Sequence, residues 1–406
     1  MSEILSNIHY NVGLALGEHT EAMARLQEQA ATGSRINRVS DAPSEAYRVL
    51  GLNSQLRNLG NYINGLSEVI GMLEFSSTVI IGGGANESGM KDIFLKVEET
   101  LAGVTDIGGE IGQIIHAEQI DGYLEHIVSL ANSKHTDQYL FGGSDTNSAP
   151  YLVERTDGKI TYVTYQGSSE DRNIEVAPGM QLSAFHIGED IFCSKNRSDP
   201  EFLLNSNGAQ PGTGTSSVTG YTWLTITHDT VNSEYVLSID DGASSVSVPD
   251  DGSGSANLAL TDSRTGRVLY VDTTGINSAG VELISVAGTH DIFNTLITLR
   301  DVLENEKGLS SGQLQTLRDD LFEAVEEMRN LLVQDSVSMG SKIELLDNLR
   351  SSLEDMAFNT EDEKTRLEEA DIAQIAIDLT RREVLYEMSL SVAAKLLSMS
   401  LLDFLR

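Results

Sequence analysis

Ile372-Ala-Gln-Ile-Ala-Ile-Asp-Leu379, continuing through Leu385, Met388, Val392, Leu396 and Met399, is the stretch that decides how this chain folds. Its apolar residues Ile372, Ile375 with Ala376, Leu379, Leu385, Met388, Val392, Leu396 and Met399 return at steps close to three and four, the spacing of one helix face. The opposite end of the chain carries the same signature in Ile4, Ile8, Val12, Ala15 with Leu16, Met23, Leu26 and Ala30. Chain termini are ordinarily frayed. Two apolar stripes at the two extremes are the pattern of an N-terminal and a C-terminal helix that pair with each other. The plain alternative is that each stripe packs in its own core. Gly13 and Gly17 each cost about 1 kcal/mol relative to alanine inside a helix, so the first helix is expected to be marginal alone and to order on assembly. Their spacing also permits close helix approach.

Proline placement extends the reading inward. The six prolines, at 43, 150, 178, 200, 211 and 249, leave 1–42 and 250–406 free of them, and helix interiors exclude proline because it removes a hydrogen bond and clashes with the preceding turn. A first helix is predicted from Ser2 to about Ala31, with Gly33 just past its end and a polar linker to Val39. Asp41 is the expected cap of a second helix with Pro43 in its first turn; it runs through Val49, Leu52, Leu56, Leu59, Ile63, Leu66, Ile70 and Leu73 to about Ile81, where Gly82-Gly83-Gly84 stops it. Further helices are predicted over Met90–Gly103, Gln113–Lys134, His290 to about Glu304, Gly312 to about Phe358, and Thr360 to the end. From Tyr139 the period changes to two. Lys159–Tyr165 alternates behind the hairpin pair Asp157-Gly158, residues 199–220 read as a linker, and strands are expected at Tyr221–Thr227, Glu234–Ile239, Val268–Val271 and Val281–Val286, with Trp223 anchoring their core.

The fold class is therefore α+β and multidomain. Residues 1–40 with 365–406 form a terminal helical pair; 41–195 with 288–364 form a helical rod domain with a β-hairpin region at 139–192; and 199–287 form a small all-β outer domain.

A formal charge of −34 disfavours nucleic acid and anionic membrane surfaces as partners. Residues 199–272 carry ten acids against Arg264 and Arg267, whereas 1–60 are near balance; a balanced end suits packing against like subunits. Cys193 is the only cysteine, so no internal disulfide is expected. The N-terminus lacks the basic start and apolar run of a cleaved secretory signal, and no apolar stretch is long enough to span a bilayer. His116 and His126 do not have metal-site spacing, Gly82-Gly83-Gly84 lacks the strand that precedes a phosphate loop, Gly252-Ser253-Gly254 is not a nucleophile elbow, and Asp240-Asp241-Gly242 and Asp250-Asp251-Gly252 read as turns. No catalytic, metal or cofactor site is expected.

Ala31-Thr-Gly-Ser-Arg-Ile-Asn-Arg-Val-Ser-Asp-Ala-Pro43 resembles the S-G-x-R-I-x-x-x-S-D-D-P segment of the flagellin superfamily. Its proline resembles the hook-associated subfamily of the hook–filament junction, where flagellin itself usually has Asp-Asp-Ala-Ala. Ala131-Asn132, Tyr139-Leu-Phe-Gly-Gly143 and Ala149-Pro150-Tyr151 are similar to that subfamily's helix-to-strand signature. Tyr165-Gln-Gly167, Val176-Ala-Pro-Gly179 and Gly188-Glu-Asp-Ile-Phe192 resemble its first β segment; Met339–Leu346, Glu369-Ala-Asp-Ile372 through Tyr386 and Ser400–Phe404 resemble its C-terminal region. Ala42 and Ile343-Glu344 depart from the pattern, and 199–287 matches none of it.

The resemblance implies a structural axial subunit of the bacterial flagellum rather than an enzyme. It would be exported through the flagellar type III apparatus without a cleaved signal. The terminal helices would form an inner tube, with the β domain projecting outward. The implied partners are like subunits in a ring, the hook-side hook-associated protein, flagellin and an export chaperone at the C-terminal helix. The rival readings are the flagellin filament subunit, a secreted enzyme, and a surface- or glycan-binding exported protein acting through 199–287.

Overall fold

The computed structural model describes residues 2–83, 88–103, 109–170, 173–177, 179–183 and 187–404; of 2–9, 109–111, 182–183 and 396–404 it describes the backbone alone. Gly84 and Pro178, named above, lie outside the described residues. The architecture is α+β. Contacts divide the chain into two compact units, Met1–Asn64 with Asn348–Arg406, and Gly65–Asp347.

The first unit holds α1 (Ser2–Thr32), the beginning of α2 (Pro43–Ile81), the end of α7 (Ser311–Glu368) and α8 (Ile372–Phe404). Gly33 ends α1 as its position suggests: its φ is +71° and its N–H donates to the Gln29 carbonyl at 2.9 Å, a left-handed stop that glycine adopts without strain. Asp41 does not cap α2. Its Oδ2 accepts from the N–H of Arg38 at 2.9 Å and of Asn37 at 3.3 Å, and Arg25 lies 3.6 Å from its Oδ1. The carboxylate thus closes the preceding loop, because those two amides come within reach before the helix begins. The C-terminal break is also displaced from the expected position. α7 runs unbroken through 358–360 for 58 residues: no glycine or proline interrupts it there, and Thr360 Oγ1 bonds back to the Met356 carbonyl at 2.7 Å. The break comes at 369–371, where Asp371 caps α8 by accepting from Gln374 N–H at 3.0 Å. It is tied to the loop after α1: Arg35 N–H donates to Glu368 O at 2.6 Å and Ala370 N–H to Gly33 O at 3.0 Å, an antiparallel bridge of Ser34 with Glu369.

The second unit contains the rest of α2 and α7, then α3 (Met90–Gly103), α4 (Gly109–Ala131), β1 (Lys134–His135), β2 (Gln138–Tyr139), β3 (Tyr151–Thr156), β4 (Lys159–Tyr165), β5 (Asn173–Ala177), β6 (Met180–Ser183) and α5 (Gly188–Phe192). Helix α4 ends before Lys134, which enters β1 instead. Asp157 and Gly158, with φ of +53° and +88°, form the β3–β4 hairpin turn, the left-handed pair that an Asp-Gly dipeptide favours. Residues 188–192 form a helical turn rather than a β segment.

β7 (Glu201–Phe202), β8 (Gln210–Pro211), β9 (Gly220–Asp229), β10 (Glu234–Ser238), β11 (Val246–Pro249), β12 (Leu258–Thr261), β13 (Val268–Asp272) and β14 (Gly280–Val286) follow, and then α6 (Ile292–Glu304). They make a five-stranded sheet in the order β11-β10-β9-β14-β7 and a three-stranded sheet β12-β13-β8, with antiparallel pairing throughout. Residues 199–220 are therefore not a linker. They supply β7 and β8, and Phe202, Ala209 and Val218 are buried. Polar composition hid this, because the segment is held by backbone pairing and by Glu282, whose carboxylate accepts from Leu204 N–H.

Two hydrophobic clusters fill this unit. One lies between the sheets, around Leu224, Ile226, Leu237, Leu269, Val271 and Ile284. The other joins α3, α4, α6 and α7 around Phe94, Leu124, Phe141, Phe192, Leu296 and Val325. Trp223 packs against this helical cluster and not the one between the sheets, with Lys307 Nζ 5.0 Å from its ring centre. Strand alternation explains the correction: Tyr221 and Trp223 point to one face of β9, Leu224 and Ile226 carry the other. Asp291 caps α6 by accepting from Phe293 N–H at 2.9 Å and Asn294 N–H at 2.7 Å. The buried Arg300 is fully engaged by Asp121 at 2.8 Å, Asp301 at 2.7 Å and the Ile160 carbonyl at 2.7 Å, which lets a charge sit in the core.

Candidate subunit-assembly surface

α1 and α8 lie against each other. From α1, Val12, Leu16, Met23 and Leu26 are half-buried; from α8, Ile375 is buried and Leu379, Arg382 and Tyr386 are half-buried. His19 Nδ1 and Arg382 Nη1 meet across the pair at 3.4 Å. The inner face of α8 thus steps through 375, 379, 382 and 386, a 3.6-residue period.

The C-terminal stripe is split between two faces. Ile375 and Leu379 go to α1, while Ile372, Leu385, Met388 and Val392 are exposed, Met388 at 60%. Ile4, Ile8, Leu396 and Met399 lie on described helical backbone, but their side chains are outside the described set. Sequence reading passed over Ile377 and Val384, which share the outward face of α8 with Met388, and Tyr10 and Leu14, exposed on α1. Their signal was present: α8 is apolar on more than the one face that a single partner helix can cover. Alongside, a groove between the helices is lined by Glu18, Glu21, Arg25, Asp378, Arg381 and Arg382, so charges of both signs flank the apolar steps.

Half-burial limits what this pair contributes. Full burial of a leucine or methionine stabilises by roughly 1.5–3 kcal/mol, and the pair of helices realises only part of that at each position. An apolar outward face left uncovered is the surface feature that marks contact with another chain.

The residues of the helix-to-strand signature meet at one node of the second unit. Asn132 stands in for a strand, its Nδ2 donating to Tyr151 O at 2.9 Å and its Oδ1 accepting from Tyr151 N–H at 3.0 Å. Tyr165 donates its hydroxyl to the Phe141 carbonyl at 3.2 Å, and the rings of Phe141 and Phe192 lie 5.0 Å apart, those of Tyr151 and Phe293 4.7 Å. Gly188 is required there, since a Cβ would stand 2.3 Å from the Tyr151 hydroxyl. Gly143 has φ +61°, and a Cβ on it would meet the Ser168 carbonyl at 2.4 Å. These motifs turn the chain from helix to strand. Burial pushes the Cys193 thiol well above its usual range, with Asp291 and Glu189 adding to the effect, so this thiol is a poor nucleophile. Among the described residues no group of three His, Cys, Asp or Glu side chains could hold a metal ion, and no helix is long and apolar enough to cross a membrane.

No protein-family model matches the sequence, and no curated protein does. Solved structures similar to this chain include those of flagellar proteins. The flagellar junction protein FlgL from Legionella pneumophila is 17% identical, with 79% of this chain and 99% of that chain covered and a TM-score of 0.48. FlgL from Xanthomonas campestris is 17% identical over 77% of this chain and 98% of that one, with a TM-score of 0.48. FlgL from Bacillus cereus is 13% identical over 79% and 100%, with a TM-score of 0.42.

Proposed function

We propose that the chain is a structural axial subunit of the bacterial flagellum, and specifically the adaptor that joins the hook-side segment to the flagellin filament. One observation carries the reading: the N- and C-terminal helices pair, yet α8 keeps a second apolar face, including Ile377, Val384 and Met388, exposed. A helix with two apolar faces, one covered by α1 and the other exposed, is built for a polymer. The ordered series of motifs resembling the hook-associated subfamily supports the finer assignment, with Pro43 rather than alanine at the start of α2 favouring the junction over the filament.

On this reading Ile4, Ile8, Val12, Leu16, Met23, Ile372, Ile375, Leu379, Leu385, Met388, Val392, Leu396 and Met399 bind partners. Those facing inward set the α1–α8 pair, and those facing outward meet like subunits, the hook-side hook-associated protein and flagellin. The same C-terminal face would be covered by a chaperone before export through the type III apparatus, and the mature protein would reside on the flagellum. The residues 199–287 form the outer domain. Deleting the gene should leave hooks without filaments and release flagellin into the medium. A deletion strain that still carries normal filaments would sink the proposal. Copy number separates the filament alternative: a junction needs a handful of subunits per flagellum, a filament thousands.

A further inference from the structure

We infer that Arg35 is a positioning residue: it pins the joint between the terminal helical pair and the α2–α7 part of the first unit, and so sets the direction in which α1 and α8 leave. The chain crosses this level twice and is interrupted both times. α1 ends at Thr32 and α2 begins at Pro43; α7 ends at Glu368 and α8 begins at Ile372. The two interruptions lie side by side, joined by the antiparallel bridge of Ser34 with Glu369. Neither helix carries its stiffness across, so the direction of the pair rests on what holds this bridge closed. The inference concerns the free chain and stands apart from the junction reading.

Apolar packing does little to close it. Ala370 is buried, but Ser34, Ile36 and Asn37 are half-buried and Val39 is 52% exposed. Polar contacts converge instead on Arg35. Its N–H donates to the Glu368 carbonyl at 2.6 Å, and its own carbonyl accepts from Gln29 Nε2 at 2.7 Å. Its guanidinium Nη2 donates to the Leu367 carbonyl at 3.1 Å and to Glu45 Oε2 at 2.5 Å. One residue therefore touches the last turn of α1, the first turn of α2 and the last turn of α7. The neighbouring ion pairs do other work. Arg38 with Glu28, at 3.2 Å, folds the loop back on α1; Arg48 with Glu363, at 2.5 Å, ties α2 to α7 beyond the joint; and Arg25 reaches Asp41 only at 3.6 Å. Two short strands are marginal in water on their own. Arginine's planar fork can meet a carbonyl and a carboxylate together, which the point charge of lysine does less well. Because Arg35 and Glu45 are open to solvent, at 48% and 36%, salt weakens the pin.

The test is the distance distribution between paired spin labels on the full-length protein carrying Cys193→Ser. Labels at Ala24→Cys on α1 and Ser54→Cys on α2 span the joint, and labels at Ala24→Cys and Glu383→Cys lie within the terminal pair; all three positions are exposed. Both distributions should be narrow in the parent. Arg35→Ala should broaden the spanning distribution about twofold, a modest effect because the lost contacts are exposed, and leave the other unchanged. Arg35→Lys should fall between, as should the parent in about 1 M salt. Glu45→Gln should broaden the spanning distribution less than Arg35→Ala, because the bonds to Leu367 and Glu368 remain. A spanning distribution that stays narrow in Arg35→Ala overturns the inference, since packing and the remaining bond of the bridge would then suffice. Equal broadening of both distributions overturns it as well, because Arg35 would then be holding the helices together and not aiming them. So does a parent whose distributions are broad from the start, which would have no pin to lose.

Discussion

The terminal helical pair and the Gly65–Asp347 unit bury their apolar residues to very different depths. Among the described side chains, α1 has no buried residue and α8 only Ile375, whereas the second unit places Phe94, Phe141, Phe192, Leu124 and Leu296 wholly out of solvent. The helix-forming pattern is equally clear in both regions. What differs is the number of elements available to cover it: several helices and two sheets in one, a single partner helix in the other. Periodicity says that a helix has an apolar face; it does not say who covers it. The largest consequence is that removing residues 1–35 or 372–406 should abolish incorporation into flagella while leaving the thermal unfolding of the second unit nearly unchanged. Incorporation of a truncated chain, measured by immunolabelling of detached hooks, would break the contrast at its root.

Point substitutions sharpen it. Phe192→Ala removes a fully buried ring that contacts Phe141, Tyr151 and Phe293, and should cost about 3–5 kcal/mol in denaturant unfolding. Leu379→Ala, half-buried on α8, should cost under about 1 kcal/mol in the free chain yet impair assembly. Equal losses for the two would mean that the pair is as well packed as the core. Asn132→Ala falls between. It strips both hydrogen bonds from the Tyr151 backbone, and leaving those groups unmet should cost about 1–3 kcal/mol. Backbone amide exchange on the free protein adds a graded view: α6 amides, covered on both sides, should exchange far more slowly than those of α1, with its Gly13 and Gly17.

The sequence alone carried much of this architecture, and its errors have physical causes. Met90–Gly103, the β4 hairpin with Asp157-Gly158 and the Gly33 stop are local features, so local pattern suffices for them. The missed α7–α8 break is not local. Asn359 and Thr360 look like a boundary, but the chain turns only at 369–371, where Gly33 and Arg35, more than three hundred residues away, supply hydrogen bonds. Trp223 was assigned to the wrong cluster because its strand is covered on both faces, a fact that alternation in one strand cannot reveal. Within the proposed assembly surface, the residues were legible as apolar steps. Which of them face α1 and which face outward depends on the helix pairing, so Met388 and Leu379 looked alike.

A last, pH-dependent effect concerns one of the places where the well-packed unit is discordant. Asp335, half-buried on α7, has an Oδ2 without a hydrogen-bond partner among the described residues. Burial raises its carboxyl to about 6, with Asp190 adding to the push and Lys195 opposing it. A carboxyl with a folded pKa above the unfolded value near 3.8 keeps its proton longer in the folded chain. Stability therefore falls as pH rises from about 4 to about 6, and the penalty is complete above that window. Asp335→Asn keeps the shape and removes the charge. At pH 7.5 it should stabilise the protein by about 1–2 kcal/mol, the full shift being discounted for partial exposure, and at pH 4 it should change nothing. A variant whose advantage persisted at pH 4 would show that the orphaned oxygen, not the charge, is the defect. No advantage at either pH would mean that the side chain reaches water, and that this stretch of the core is looser than the clusters on either side of it.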